Sequence, residues 1–120
     1  MWVYFSSTGN LYDSNGLVAG SGYSGHGEGL NNPSMEADHD IGPIPRGLYL
    51  ISGFFDDPEK GPIVADLTPE PGTNDFGRSG FMLHGDNRAG NKSASLGCIV
   101  MPHDVRAAVR DSGDRGLKVS

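Results

Sequence analysis

The sequence predicts a small, mainly β domain (α+β class) with one helix, and three observations support this. Glycine and proline supply 19 and 8 of the 120 residues, and both interrupt regular helices. The apolar runs are short and separated by turn-like segments, as is typical of strands. Only the stretch from Pro102 to Arg110 has helix-start and helix-stop signals, with Gly113 after it. The chain length predicts a single domain, residues 1–120, and we expect a monomer.

The first part of the chain predicts a meander of three short strands at 2–5, 11–12 and 17–19. An Asn-Gly pair at 15–16 is a strong hairpin signal before the third strand. Further strands are predicted at 48–55, 63–67 and 117–119. In the meander we expect three residues in the core: Trp2, Tyr4 and Leu17. In the helix we expect one face to pack on the sheet: Val105, Ala108 and Val109.

Composition excludes several classes of function. The net charge of −6, with no cluster of basic residues, argues against a nucleic-acid partner. The single cysteine excludes an intrachain disulfide. No apolar run approaches the roughly 18 residues that a membrane span requires. The first residues, Met1–Ser6, lack a basic segment and a long apolar segment, so we expect no signal peptide.

A glycine-dense segment resembles two well-known motifs but fits neither. Residues 20–25 match G-x-G-x-x-G, but the following Asn31-Asn32-Pro33 cannot open a helix, which excludes a dinucleotide site. The G-x-S-x-G nucleophile pattern fails at its last position, His26. We expect this loop to lie beside a cleft, with three candidate peptide contacts: Tyr23, Ser24 and Asn32. A loop without such contacts is the alternative.

An acidic segment suggests a metal site at first sight. Glu36, Asp38, His39 and Asp40 are suitable ligands for zinc or manganese. No second pair of histidines follows at ligand spacing, and acidic loop residues usually face water. We therefore expect neither a metal nor another cofactor.

The segment from Gly80 to Met101 carries the candidate chemistry. His84 ends one short apolar run and Cys98, the only cysteine, precedes another, so the two runs predict paired strands around a polar loop. Facing residues of such a pair would lie roughly 4.5–5.5 Å apart at Cβ, close enough for an imidazole to take a thiol proton. The thiolate, and not the thiol, attacks a carbonyl carbon. For these two residues alone, a buried structural cysteine and a satisfied strand histidine remain the alternative.

The residues around this pair resemble a known family. His84-Gly85 followed by Ser95-Leu96-Gly97-Cys98 resembles the active-site signature of YkuD-type L,D-transpeptidases, and the segment 41–51 resembles a strand of the same family. Over residues 2–119 the chain looks most like the L,D-transpeptidase-like effectors of type VI secretion systems. The resemblance implies a small β-sandwich-like catalytic fold with the helix after the cysteine, and a peptidoglycan stem peptide as substrate.

The resemblance also implies a role for each matching residue. Cys98 would be the nucleophile and His84 the proton acceptor, with the Gly85 carbonyl orienting the imidazole. The N–H groups of Gly97 and Cys98 would stabilise the oxyanion, and Ser95 would shape the loop or contact the stem peptide. Two further residues are candidates for holding charged substrate groups, with a surface salt bridge as the alternative: Asp86 and Arg88.

Two positions depart from the family pattern. Leu96 stands where the family has histidine, and Val100 where it often has arginine. These differences leave two other functions open. One is a non-catalytic peptidoglycan-binding module with a degenerate site. The other is a sortase-like cysteine transpeptidase, which would need Arg106 or Arg110 to reach the cysteine.

A wall-directed enzyme without a signal peptide predicts an unusual route. We expect a protein made in the cytoplasm, secreted, and active in the periplasm of a target bacterium. A cognate immunity protein and a component of the secretion machine are then expected partners. A domain excised from a longer protein is the alternative.

Overall fold

The computed structural model describes residues 1–120 and contains ten strands and one α-helix. Two single turns of 3-10 helix, Gly27–Gly29 and Pro33–Met35, lie in the glycine-dense region. The prediction of a mainly β fold with one helix after the cysteine is confirmed. The strands are β1 (Trp2–Phe5), β2 (Asn10–Tyr12), β3 (Val18–Ser21), β4 (Tyr23–Ser24), β5 (Gly47–Ile51), β6 (Phe55–Asp57), β7 (Gly61–Pro69), β8 (Met82–His84), β9 (Ile99–Val100) and β10 (Gly116–Val119), and the helix is α1 (His103–Ser112).

The strands form one continuous curved sheet. Its order is β3-β2-β1-β10-β5-β7-β8-β9-β4, and β6 pairs with β7 outside this path. The two edges, β3 and β4, are separated in the chain only by Gly22, so the sheet nearly closes on itself. A Cβ at Gly22 would collide with the Val100 carbonyl oxygen, which explains why glycine occupies this close approach. The two layers of the predicted sandwich are therefore opposite walls of one sheet.

The core lies inside this curved sheet and contains 16 buried residues. Trp2 and Tyr4 belong to it, as predicted. The prediction for Leu17 is wrong, because its side chain is 65% exposed. Its N–H donates to Asp13 Oδ1 (3.0 Å), which places Leu17 in the turn before β3 and not on the strand.

Helix α1 begins after Pro102 and ends at Gly113, whose φ of 70° is the left-handed conformation that glycine favours at helix ends. Val105 and Val109 are buried against the sheet as predicted. Ala108 is exposed, contrary to prediction, and Arg106 is the third buried residue of α1. None of the helices has the length and apolar character needed to cross a bilayer.

The two strands that flank the loop of residues 85–98, β8 and β9, pair in parallel. Leu83 of β8 lies opposite Ile99 of β9, and His84 lies opposite Val100. The prediction that the two runs pair as strands is confirmed, but they pair in parallel and do not form a hairpin. The connection over residues 85–98 runs back to the start of β8 before β9 begins, which only a long loop permits. On its other side β9 pairs with β4, so the glycine-dense segment lies beside the site.

Candidate active site

The imidazole of His84 is fixed in one orientation in the sheet. The residue is only 1% exposed, and its Nδ1 lies 2.7 Å from the Gly85 carbonyl oxygen. A carbonyl only accepts hydrogen bonds, so Nδ1 carries the proton and Nε2 presents its lone pair. Nε2 is buried and has no hydrogen-bond partner. Burial lowers the pKa of His84, which keeps the ring neutral and able to accept a proton.

Extending the alternation of β9 by one residue puts Cys98 on the same face of the sheet as His84. Leu83 and Ile99 are opposite each other and both belong to the core. Since side chains alternate along a strand, the residues on either side of Leu83 and Ile99 point to the other face. His84 lies directly opposite Val100, so Cys98, two residues earlier, is the diagonal neighbour of His84. It is not the facing partner that the sequence analysis expected. Diagonal neighbours are typically about 7–8 Å apart at Cβ.

The thiol of Cys98 is half-buried and is protonated at neutral pH. Its Sγ lies 3.7 Å from the Gly80 carbonyl oxygen, and no hydrogen bond joins it to the imidazole. Burial raises the pKa of Cys98, while the Met82 N–H and the charges of Lys60 and Arg78 act in the opposite direction. Catalytic hydrogen bonds are often long in structures without substrate. At neutral pH the structure thus has a neutral thiol and a neutral imidazole on neighbouring strand segments, with no hydrogen bond between them.

Ser95 organises the loop that carries the cysteine. Its buried hydroxyl donates to the Cys98 carbonyl (2.6 Å) and accepts from the N–H groups of Gly97 (3.1 Å) and Gly25 (2.9 Å). All its hydrogen-bonding capacity is thus used within the chain. The structure gives Ser95 the loop-shaping role and not a substrate contact.

The two predicted oxyanion donors differ in their availability. The Gly97 N–H is engaged by Ser95 Oγ, whereas the Cys98 N–H makes no hydrogen bond to the chain. Gly97 has a φ of 132°, which side chains rarely adopt. Of the pair, the Cys98 N–H is the free donor.

A buried arginine holds the wall beside the cysteine. The Arg78 guanidinium donates to the carbonyls of Glu36 (2.6 Å), Pro43 (2.8 Å), Gly42 (2.9 Å) and Leu96 (3.2 Å). It also lies 5.6 Å from the centre of the Phe81 ring, which is cation–π distance. A side chain at Gly97 would collide with this guanidinium. Arg78 thus fastens the segment 36–43 to the cysteine loop.

A pocket of about 350 Å³ opens in front of Cys98. Arg78 and Phe81 form part of its wall, and Leu96, 59% exposed, lies on its lining. Charged and titratable groups from distant parts of the chain meet here. The residues that line it are His39, Asp40, Lys60, Gly77, Arg78, Ser79, Gly80, Phe81, Met82, Ala94, Leu96, Gly97 and Cys98.

Tyr23 and Asp86 bind each other. The buried phenol donates to Asp86 Oδ1 (2.7 Å) and accepts from the Ala94 N–H (3.1 Å). Burial and the adjacent carboxylate raise the pKa of Tyr23 to about 12. We call this arrangement the tyrosine clasp (Tyr23, Asp86 and Ala94). It joins both ends of the polar loop 87–93 to β4.

The other predicted contact residues lie away from the pocket. Ser24 is fully buried and its hydroxyl accepts from the Ile44 N–H (2.8 Å). Asn32 bonds within its own turn, to Glu28 and Ser34. Arg88 is exposed and does not line the pocket. The structure therefore brings neither Asn32 nor Arg88 to Cys98, whereas the buried Ser24 hydroxyl donates to the Gly97 carbonyl oxygen (3.4 Å), beside the cysteine and outside the pocket lining.

The acidic segment is used for ion pairing. Glu36 accepts from the guanidinium and the backbone N–H of Arg46. The chain contains no group of three residues that could hold a metal ion. Of this segment, only His39 and Asp40 reach the pocket.

The two arginines that a sortase-like site would require are engaged elsewhere. Arg106 donates to the carbonyls of Met101 (3.0 Å) and Ile63 (3.0 Å), and Arg110 pairs with Asp111. Neither lines the Cys98 pocket.

Sequence reasoning missed Lys60 and Arg78. Both lie in loops rich in glycine or proline, without a motif. Arg78 lies within the loop that the sequence predicts over 68–80, and only the folded chain shows its four carbonyl partners. In the sequence, Arg78 is only an isolated arginine between Gly77 and Ser79, and this pattern does not indicate a buried guanidinium.

Comparison with known protein families decides the family. The Tlde1 domain matches residues 19–119, which is most of the chain. The chain belongs to the Tlde1 domain family. This family is associated with type VI secretion effectors, so the effector part of the resemblance is confirmed, whereas the L,D-transpeptidase chemistry stays a prediction. No curated protein and no solved structure matches the chain.

Proposed function

We propose that this Tlde1-domain protein is a cysteine enzyme that acts on tetrapeptide stems of peptidoglycan. One observation carries the proposal: a buried imidazole, with Nδ1 held by the Gly85 carbonyl and Nε2 unpartnered, shares a sheet face with a half-buried cysteine at the edge of a pocket. An unpartnered buried polar atom costs stability, commonly about 1–3 kcal/mol. A catalytic role is one explanation for such a group. Trp2 Nε1 and Tyr4 OH in the core are unpartnered as well, so what distinguishes the imidazole is its position on the strand that pairs beside Cys98.

The proposed reaction proceeds in two steps. In the first, His84 Nε2 takes the thiol proton while Cys98 Sγ bonds to the carbonyl carbon of the third stem residue. The peptide C–N bond then breaks, the imidazolium returns the proton to the departing amine, and D-alanine leaves. In the second step, water or a free D-amino acid gives a proton to His84 Nε2 and bonds to the thioester carbonyl carbon, the C–S bond breaks, and the proton returns to Cys98 Sγ. Transfer of the acyl group to water gives an L,D-carboxypeptidase, and transfer to a D-amino acid gives exchange.

We expect the Cys98 N–H to stabilise the substrate oxygen during the attack. As the carbonyl oxygen becomes an oxyanion on attack by Sγ, the amide of the nucleophile itself is within reach, and this amide has no other partner. Removing one such donor typically costs about 2.7–4 kcal/mol of transition-state stabilisation. The Ser95 hydroxyl holds the two peptide groups that flank this amide. It accepts from the Gly97 N–H before the amide and donates to the Cys98 carbonyl after it.

The effector family gives this chemistry a biological setting. An enzyme that trims or caps stems removes donors that wall cross-linking needs, which would harm a bacterium that receives it. By this proposal the protein acts in the periplasm of a target cell and has a cognate immunity protein in the producer. A component of the secretion machine would then be a second partner.

Release of D-alanine from purified tetrapeptide muropeptides tests the proposal. Cys98→Ala and His84→Gln should abolish release, since each removes one member of the pair. His103→Gln is the matched control, because His103 is exposed and outside the pocket, and it should leave release unchanged. Trimming that persists in Cys98→Ala would show that the nucleophile is wrong.

A binding module is the second candidate, favoured by the absence of a hydrogen bond between Sγ and the imidazole. Intact-protein mass spectrometry after incubation with a tetrapeptide separates the two. An enzyme shows an acyl adduct on Cys98 with loss of D-alanine. A module binds the tetrapeptide with unchanged affinity in wild type and Cys98→Ala and shows no adduct.

A further inference from the structure

Lys60 is a cation without a partner at the mouth of the Cys98 pocket. It lies in the tight turn between β6 and β7, where its N–H donates to Asp57 Oδ1 (2.9 Å). The same carboxylate oxygen accepts from the Glu59 N–H (2.8 Å), so the turn is fixed and Asp57 is engaged. The Lys60 side chain is exposed, lines the pocket and forms no ion pair.

The other basic groups that line the pocket, Arg78 and His39, have partners in the chain. Arg78 is committed to four backbone carbonyls. His39 Nε2 lies 3.2 Å from the Phe76 carbonyl oxygen. Asp40 is negative and repels an anion. Lys60 is therefore the one cation in the pocket that is free to bind an anionic group of a substrate.

We propose that Lys60 binds the terminal carboxylate of the amino acid that the enzyme expels, and so selects stems that end one residue after the scissile bond. This inference rests on the proposed function. The carboxylate of the departing residue is separated from the scissile carbonyl carbon by only three covalent bonds of about 1.3–1.5 Å each. A flexible ammonium in the same pocket as Sγ can reach it.

The charge of Lys60 also acts on the reacting pair. It lowers the pKa of both His84 and Cys98. A bound carboxylate would offset this charge, which makes the imidazole a stronger base and the thiol a weaker acid, so the two effects on proton transfer oppose each other. A substrate without the carboxylate would leave the positive charge uncompensated.

Kinetics with two peptides test the proposal. One is a tetrapeptide stem with a free terminal carboxylate, and the other is the same peptide with a terminal amide. Ion pairs at exposed lysines typically correspond to about 1.5–5-fold in affinity. We expect Lys60→Met to raise the KM for the acid by about that factor and to leave the KM for the amide unchanged. Lys60→Arg should retain most of the preference for the acid.

Lys118→Met is the matched control, since Lys118 is an exposed lysine of β10 outside the pocket. It should behave as wild type with both peptides. An acid-to-amide ratio that is the same in wild type and Lys60→Met would overturn the proposal, as would equal turnover of the two peptides by wild type.

Binding to Cys98→Ala separates this proposal from the proposed function. Calorimetry with both peptides would be run on Cys98→Ala and on Cys98→Ala with Lys60→Met. If wild type shows no turnover but the acid binds through Lys60, the catalytic proposal fails and the carboxylate site stands. If turnover occurs and neither KM nor binding depends on Lys60, the carboxylate site alone fails.

Discussion

Replacing Arg78 by methionine removes the cation that joins two loops around the cysteine. The guanidinium makes four hydrogen bonds to carbonyl oxygens, at 2.6–3.2 Å. Each buried carbonyl that loses its donor costs about 1–3 kcal/mol. Burying the guanidinium is itself unfavourable, and methionine removes that cost, so the two effects partly cancel. We expect a net loss of about 3 kcal/mol in the free energy of unfolding.

Urea and thermal unfolding measure this loss. For a domain of this size, about 3 kcal/mol corresponds to a decrease of roughly 12 °C in Tm. Arg88→Met is the control, because Arg88 is exposed and makes no hydrogen bond, and it should stay within about 0.5 kcal/mol of wild type. Arg78→Met should also slow alkylation of Cys98 at pH 8, since the nearby charge lowers the pKa of the thiol.

A small change on Arg78→Met would refute this reasoning. If the variant unfolds within 0.5 kcal/mol of wild type, the four carbonyls find water or other donors. The wall of the pocket then does not depend on the guanidinium.

The remaining predictions concern the reacting pair and its loop. Because burial lowers the pKa of His84 from 6.5, kcat/KM should decrease with acid only at a midpoint below pH 6.5. A midpoint at or above pH 6.5 would contradict this. The unfolded chain binds this proton at higher pH than the folded chain, so the free energy of unfolding should fall as pH decreases below 6.5, and less so in His84→Gln. Iodoacetamide alkylation of Cys98 should rise with pH to a midpoint above 9, because burial raises the pKa of the thiol. Ser95→Ala should lower stability by about 2 kcal/mol in urea unfolding and reduce kcat. Gly97→Ala should reduce kcat at least about 100-fold through its positive φ and its contact with Arg78, whereas Gly53→Ala, in open surroundings, should not.

Local patterns in the sequence predicted most of the strands. The short apolar runs and the Asn-Gly turn predict the meander of β1–β3 and the last strand β10, and the helix-end signals predict α1. The predicted bounds of these elements agree with the observed ones to within a few residues. Leu17 was misplaced because the hairpin signal gives the turn but not the residue at which the next strand begins. Ala108 was misplaced because the inward face of α1 is set by Arg106, whose polar contacts have no apolar signature.

The pairing of β8 with β9 was not predictable from the two runs alone. A polar loop between two apolar runs is compatible with either direction of pairing. The choice depends on β7 and β4, which flank the pair and are distant in sequence. His84 and Cys98 were identified from their chemistry and their neighbours, but Lys60 and Arg78 enter the site only through the folded sheet.

The position of β10 has a consequence for how the molecule is assembled. This strand pairs in parallel with β1 and antiparallel with β5, so it joins the meander to the half of the sheet that bears the cysteine. Contacts between such distant parts of a chain slow folding, because a long loop must close before they form. A chain that emerges stepwise from a ribosome therefore cannot complete the junction of β1, β10 and β5 until residues 116–119 have passed through. Until that moment the thiol belongs to an unfinished sheet.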